Sequence, residues 1–208
     1  MRGSSVISPA AAVCEVVPED LSRAVDWAAI FGRVAPLEID LGCGDGSYLT
    51  ELAAAHPERN FIGVELLFGR VRGACKRIAR LELTNARILR VDISHAVQQL
   101  MSPASVEVFH LLFPDPWPKR RHHCRRVFTA ELLASVARAL VPDGLFLIAT
   151  DDVDYFEAMG RVLRGVRHFE QREESSATAL PITTFEKRFL ACGLPIHRLV
   201  LGKVSEPM

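Results

Sequence analysis

Short apolar runs alternate with stretches of helical periodicity along most of this chain, and that alternation constrains the fold more than any other feature of the sequence. The runs are Leu37 to Asp40, Phe61 to Val64, Arg87 to Val91, Val106 to Leu112, Leu145 to Ala149 and a late one near Leu199 to Val204. Between them, Ser47 to Ala55 reads as a helix stopped before Pro57. Val71, Ala74, Cys75, Ile78 and Leu81 form a helical apolar stripe, with Arg72, Lys76 and Arg80 on its opposite side. Glu131 to Leu140 predicts a helix ending at Pro142-Asp143-Gly144, and Asp152 to Leu163 predicts another. Strand and helix in turn predict an α/β domain, a parallel sheet with helices on both faces.

At 208 residues and 49% hydrophobic, the chain can bury one substantial core. The expected organisation is an N-terminal segment, residues 1–33, whose helix from Glu19 to Phe31 is closed by Gly32, followed by one domain over 34–208. No apolar run approaches the roughly 20 residues that cross a bilayer. Pro9, Glu15 and Pro18 interrupt the start before a secretory hydrophobic region could form. Five scattered cysteines without a CxxC pair fit reduced thiols, and a cytoplasmic protein is expected. Lys plus Arg equals Asp plus Glu at 25 each, but the cations cluster: residues 119–126 read KRRHHCRR, and a second group spans Arg70 to Arg90. Local basic patches on a neutral chain imply an anionic partner.

The first strand runs directly into Gly42-Cys43-Gly44-Asp45-Gly46, which opens a helix. Glycines there let backbone approach a ligand closely. A dinucleotide fingerprint would need its third glycine at Ser47, so that match fails. Glu65 follows the second strand, where a carboxylate can accept both hydroxyls of a ribose, and Asp92 follows the third, where one can accept from an adenine amino group. Glu38, inside the first strand, is expensive to bury without a donor or cation. A sulfonium cofactor with an α-amino group supplies both, so the set points to S-adenosylmethionine. After the fourth strand comes Phe113-Pro114-Asp115-Pro116-Trp117-Pro118-Lys119, with three prolines in five residues, a stiff loop at the carboxyl edge of the sheet. Methyl transfer needs such rigidity, because the nucleophile must lie in line with the sulfur–methyl bond.

The run LLFPDPWPKRRHHCRR resembles the signature of the bacterial tRNA (guanine-N7)-methyltransferases, and LEIDLGCGDGSYL, FIGVEL, ATDD and ITTFEKRF extend the likeness over nearly the whole chain. The resemblance implies a Rossmann-like class I S-adenosylmethionine-dependent methyltransferase, with a mostly parallel seven-stranded sheet, acting on N7 of a variable-loop guanine, position 46, in tRNA. It implies cofactor contacts at Glu38, Glu65, Asp92 and Asp115, beside the loop glycines Gly42, Gly44 and Gly46. Substrate contacts would come from Lys119, Asp151 and the stretch Thr183, Thr184, Phe185 and Glu186. The family usually carries lysine in place of Thr184 and a basic residue in place of Cys124. No metal and no obligate protein partner are expected. Two other readings stay open: an amino-group methyltransferase acting on adenine or glutamine, and a cofactor-binding, non-catalytic RNA-binding protein. Guanine N7 has a lone pair and no proton, so Asp115 would act by holding the base and balancing its developing charge, without removing a proton.

Overall fold

The structure is a computed structural model that describes residues 14–173, 186, 193 and 195–204. Strands and helices follow one another as β1 (Glu15–Val16), α1 (Trp27–Phe31), β2 (Leu37–Leu41), α2 (Ser47–Ala55), β3 (Asn60–Val64), α3 (Phe68–Arg80), β4 (Ala86–Leu89) and α4 (Ile93–His95), which runs into a π turn over Ala96–Leu100. The second half contains β5 (Val106–Leu112), a 3-10 turn (Arg120–Arg125), α5 (Ala130–Ala139), β6 (Leu140–Thr150), α6 (Val153–Leu163), β7 (Phe169–Arg172) and β8 (His197–Lys203).

The strands form one sheet in the order β1-β4-β3-β2-β5-β6-β8-β7. β8 alone runs against its neighbours β6 and β7. The sheet has eight strands among the described residues, one more than the seven expected, because β1 adds two residues beside β4. The chain steps outward from β2 through β3 to β4, then returns to the other side of β2 as β5. That reversal leaves a crevice beyond the carboxyl ends of β2 and β5, where open α/β sheets bind ligands.

Two layers of side chains cover the sheet. On one face Ile39, Phe109 and Phe146 meet α5, α6 and the π turn through Leu133, Met159 and Leu100. On the other, Phe61, Ala86 and Ile88 meet α2 and α3 through Leu49, Leu52, Val71 and Ile78. Among the described residues no helix is long and apolar enough to cross a membrane.

The structure corrects two local expectations. The leading helix is only Trp27–Phe31, capped by the Asp26 carboxylate and closed by Gly32 at φ 67°. Residues before it are not helical, because Asp20 Oδ1 accepts from both the backbone N–H and the hydroxyl of Ser22, a local turn that competes with helix. β6 begins at Leu140, before the predicted turn. The ladder with β5 jumps from Val106 opposite Leu140 to Val108 opposite Leu145, so Pro142-Asp143-Gly144 bulge out within the strand rather than ending it.

Close packing on the α2/α3 face depends on Gly63. A Cβ there would lie 2.6 Å from Cys43 Sγ and 2.9 Å from Ile88 Cδ1. Gly63→Ala is therefore expected to cost about 1–3 kcal/mol, the usual range for overpacking, read as a lowered urea midpoint with unchanged slope. An unshifted midpoint would show that Cys43 can move aside freely.

Candidate active site

The glycine loop leaves β2 at the centre of the sheet, and Gly42, Gly44 and Gly46 all take positive φ, at 85°, 58° and 73°. Gly42 and Cys43 donate to the Val64 carbonyl at 2.8 and 3.0 Å, which anchors the loop to β3. At Gly46 a Cβ would lie 2.8 Å from the Cβ of Ala74, so a side chain here would push α3 away from the start of α2. Asp45 faces outward, its Oδ1 accepting from the Ser47 N–H and its Oδ2 2.9 Å from Arg77 Nη2.

Beside the loop stand the acids at the strand ends. Glu65 is buried; Oε1 accepts from the Leu67 N–H at 2.8 Å, and Oε2 lies 3.6 Å from Arg70. Asp92 is exposed and caps α4, its Oδ1 accepting from Ser94 and His95 N–H at 2.9 and 3.2 Å. Both carboxylates are thus fixed by backbone donors, each through one oxygen.

Glu38 is deeper than its expected role suggests. His110 Nε2 lies 2.8 Å from Oε2, and Arg59 Nε lies 2.6 Å from Oε1 in an ion pair whose N–H is not aligned for a hydrogen bond. The hydroxyl of Tyr48, the second residue of α2, reaches His110 Nδ1 at 3.1 Å. Tyr48 donating to Nδ1 and Nε2–H donating to Glu38 satisfies both contacts with one tautomer. Burial alone would raise the Glu38 carboxyl, but His110 and Arg59 outweigh it and hold it low. Arg59 also reaches Glu107, so the chain of contacts runs from the base of the sheet to the glycine-loop helix.

Asp40, two residues before Gly42 and on the same face as Glu38, has no hydrogen bond or ion pair on its carboxyl among the described residues. It is 4% exposed. Burial and the neighbouring charge of Glu65 push it up to about 6, with His110 offsetting part of the effect.

Across the crevice, the loop after β5 carries Asp115, exposed between Pro114 and Pro116. Two non-glycine residues of this loop take positive φ, Phe113 at 52° and Trp117 at 46°. Such backbone costs of order 1–3 kcal/mol each and persists where the surroundings over-determine it. Arg125 lies over the Trp117 ring at 4.8 Å, and His122 meets its edge. Asp151 follows β6, the parallel neighbour of β5, so two exposed carboxylates leave adjacent strands at the same end. Lys119 is exposed, and its carbonyl accepts from the His122 N–H at 2.7 Å.

The sequence model of a family described as a putative methyltransferase matches residues 34–199. A tRNA (guanine-N(7)-)-methyltransferase of Syntrophotalea carbinolica is 32% identical over 183 residues, 86% of this chain and 79% of that protein. One of Halorhodospira halophila is 40% identical over 182 residues, 85% of this chain and 78% of that protein. The chain belongs to the tRNA (guanine-N(7)-)-methyltransferase family. An rRNA methylase from Streptococcus thermophilus shares the fold with TM-score 0.56 at 13% identity, covering 82% of this chain and 88% of that one. The chain is thus a methyltransferase of the Rossmann-like α/β kind.

In this methyltransferase the structure gathers Gly42, Gly44, Gly46, Glu65 and Asp92 on one side of the crevice and Asp115, Lys119 and Asp151 on the other. Glu186 is buried and ion-pairs with Arg198 on β8, close enough for its charge to act on Tyr48. Thr183, Thr184 and Phe185 lie outside the described residues. Asp40, His110, Tyr48 and Arg59 were missed by the sequence reading. The signal for Asp40 was available: it shares the face of Glu38 and stands one strand position nearer the glycines.

The raised Asp40 carboxyl has a consequence for stability. An acid that ionises at about 6 when folded and near 3.8 when unfolded penalises the native state above pH 6, and the penalty disappears as pH falls toward 4. Asp40→Asn should therefore stabilise the ligand-free protein at pH 7.5 by up to roughly 3 kcal/mol, with the difference from wild type vanishing near pH 4. Chemical unfolding at both pH values checks this; equal stabilities at pH 7.5 would remove the penalty.

Proposed function

We propose that this methyltransferase acts in the cytoplasm on tRNA, transferring the methyl of S-adenosylmethionine to N7 of a variable-loop guanine, position 46. The observation that carries the reading is the pairing of Asp115 and Asp151 at the carboxyl ends of adjacent strands, opposite the cofactor acids and bordered by a strip of cations. The names of the relatives support the base and the polymer.

On the cofactor side, Glu65 is suited to the ribose hydroxyls and Asp92 to the adenine amino group, each with one oxygen beyond its backbone bonds. The ammonium of the amino-acid end is better matched by Asp40 than by Glu38. Both oxygens of Glu38 face protein partners, whereas a cation beside Asp40 would return its carboxyl toward ordinary acidity. Glu38 then acts indirectly, through the His110 and Tyr48 contacts that tie β2 and β5 to the start of α2.

Bound S-adenosylmethionine supplies an electrophilic methyl on a positively charged sulfur. Its transfer to the N7 lone pair would exchange the S–CH3 bond for an N–CH3 bond, pass positive charge from sulfur to the purine, and need no proton removal by the chain. What the chain contributes is orientation and charge. Asp115 offsets the cation that develops on the base, and Asp151 accepts from guanine N1 and its exocyclic amine. Lys119, Arg120 and Arg121, all exposed, meet phosphates.

Incubating the protein with labelled cofactor and unmodified tRNA, followed by digestion to nucleosides, is expected to yield labelled 7-methylguanosine. Label in N6-methyladenosine, in protein, or nowhere would overturn the reading. The same system tests the cationic strip. Replacing Lys119, Arg120 and Arg121 together by alanine should weaken tRNA binding and flatten its log–log salt dependence by roughly 0.7–0.9 per lost phosphate contact, with S-adenosylmethionine affinity unchanged. An unaltered slope would make these three residues ordinary solvated charges.

A further inference from the structure

The basic run KRRHHCRR does not behave as one surface. Its last residue, Arg126, is buried, at 8% exposure. Arg126 Nε donates to the carbonyl of Pro116 at 2.7 Å, and the guanidinium lies over the ring of Tyr155 at 4.6 Å from its centre. The Tyr155 hydroxyl accepts from the Phe128 N–H at 3.2 Å, so the ring is fixed at both ends. Among the described residues the guanidinium is held by a carbonyl and a ring, with no carboxylate in ion-pair contact. A buried cation balanced only by neutral groups is costly, and it is retained where its geometry does something an apolar side chain cannot.

The placement shows what that is. Pro116 adjoins Asp115, and the loop around them carries the strained backbone of Phe113 and Trp117. Tyr155 lies in α6, whose start is set by Asp152, its carboxylate accepting from the Tyr155 N–H at 2.7 Å, one residue beyond Asp151. Burial raises the Tyr155 phenol, while the Phe128 N–H and the Arg126 charge lower it. We propose that Arg126 and Tyr155 form a clamp fixing the Pro-rich loop to α6, and so set Asp115 relative to Asp151 without either clamp residue touching the substrate. The inference rests on the reading that these two acids hold the guanine.

Displacement of a reacting group by about 1 Å costs on the order of a hundredfold in rate. Arg126→Ala is accordingly expected to lower kcat on tRNA by roughly ten- to a hundredfold, while the S-adenosylmethionine Kd stays within about twofold of wild type. Tyr155→Leu should match it, and the double variant should be no slower than either, because the two changes break one clamp. Arg126→Lys, which keeps the charge without the fixed Nε–H, should recover part of the loss, and Tyr155→Phe, which keeps the ring, should recover most.

The second readout needs no substrate. The chain has two tryptophans, of which Trp27 is buried and Trp117 sits in the clamped loop. Acrylamide quenching should therefore rise in Arg126→Ala and Tyr155→Leu, reporting a loosened loop. Wild-type turnover in Arg126→Ala, additive losses in the double variant, or cofactor affinity falling in step with kcat would each overturn the clamp. If the wild-type protein makes no 7-methylguanosine, the substrate reading fails on its own, and unchanged quenching would still dismiss the clamp while increased quenching would support it.

Discussion

A carboxylate buried inside a sheet calls for compensation, and β2, central among the strands described, carries two: Glu38, which has it from protein groups, and Asp40, which does not. Much of the surrounding architecture answers that demand. Glu38 draws in Arg59 from the turn before β3 and His110 from β5, and His110 in turn meets Tyr48 on α2. One line of polar contacts therefore joins the strand that launches the glycine loop, the helix that follows it and the strand that ends in the Pro-rich loop. Without it, β2 and β5 would share their ladder and an apolar layer but no polar side-chain contact on the opposite face. With it, the two halves of the crevice are cross-linked inside the core, where hydrogen bonds are electrostatically stronger than at the surface.

The halves are built on different principles. On the cofactor side, acids are held by backbone N–H groups at the starts of α3 and α4, so each is positioned by the same bonds that begin its helix. On the other side the loop is stiffened by proline, strained at Phe113 and Trp117, and braced by side chains that sequence places among surface cations. Arg126 packs inward under Pro116 and against Tyr155, whereas Arg120, Arg121 and Arg125 are exposed, Arg125 lying over the Trp117 ring. A run of like charge along the chain is thus solvated over most of its length and buried at its last residue.

The parts legible in sequence were those set by local rules. Ser47 to Ala55 forms the helix its pattern indicated, since Gly46 opens it and Pro57 follows it closely. Glu65 and Asp92 could be singled out as candidates because strand ends are where such sheets bind ligands. Partnership across the sheet was not legible. Glu38 reads in sequence as a cofactor contact because its protein partners, His110 and Arg59, lie far from it along the chain. Asp40 shares a face with Glu38, and its near-complete burial shows only in the packed structure. The octet was read as uniform because charge counting does not reveal that the chain turns extended at Arg126, after the 3-10 turn, and buries that one cation.

The sheet is open, and each open sheet ends in two strands whose outer backbone groups could recruit another chain. Among the described residues one margin is β1, only two residues long, and the other is β7, where Glu170 and Arg172 stand within four residues. Arg172 is further tied to Asp143 on the bulge of β6 and to Glu170 beside it. A short border and a charged one offer little length or apolar surface for a foreign strand to zip onto. The architecture that leaves the crevice accessible to a large polymer is, at its flanks, resistant to fibrous self-association.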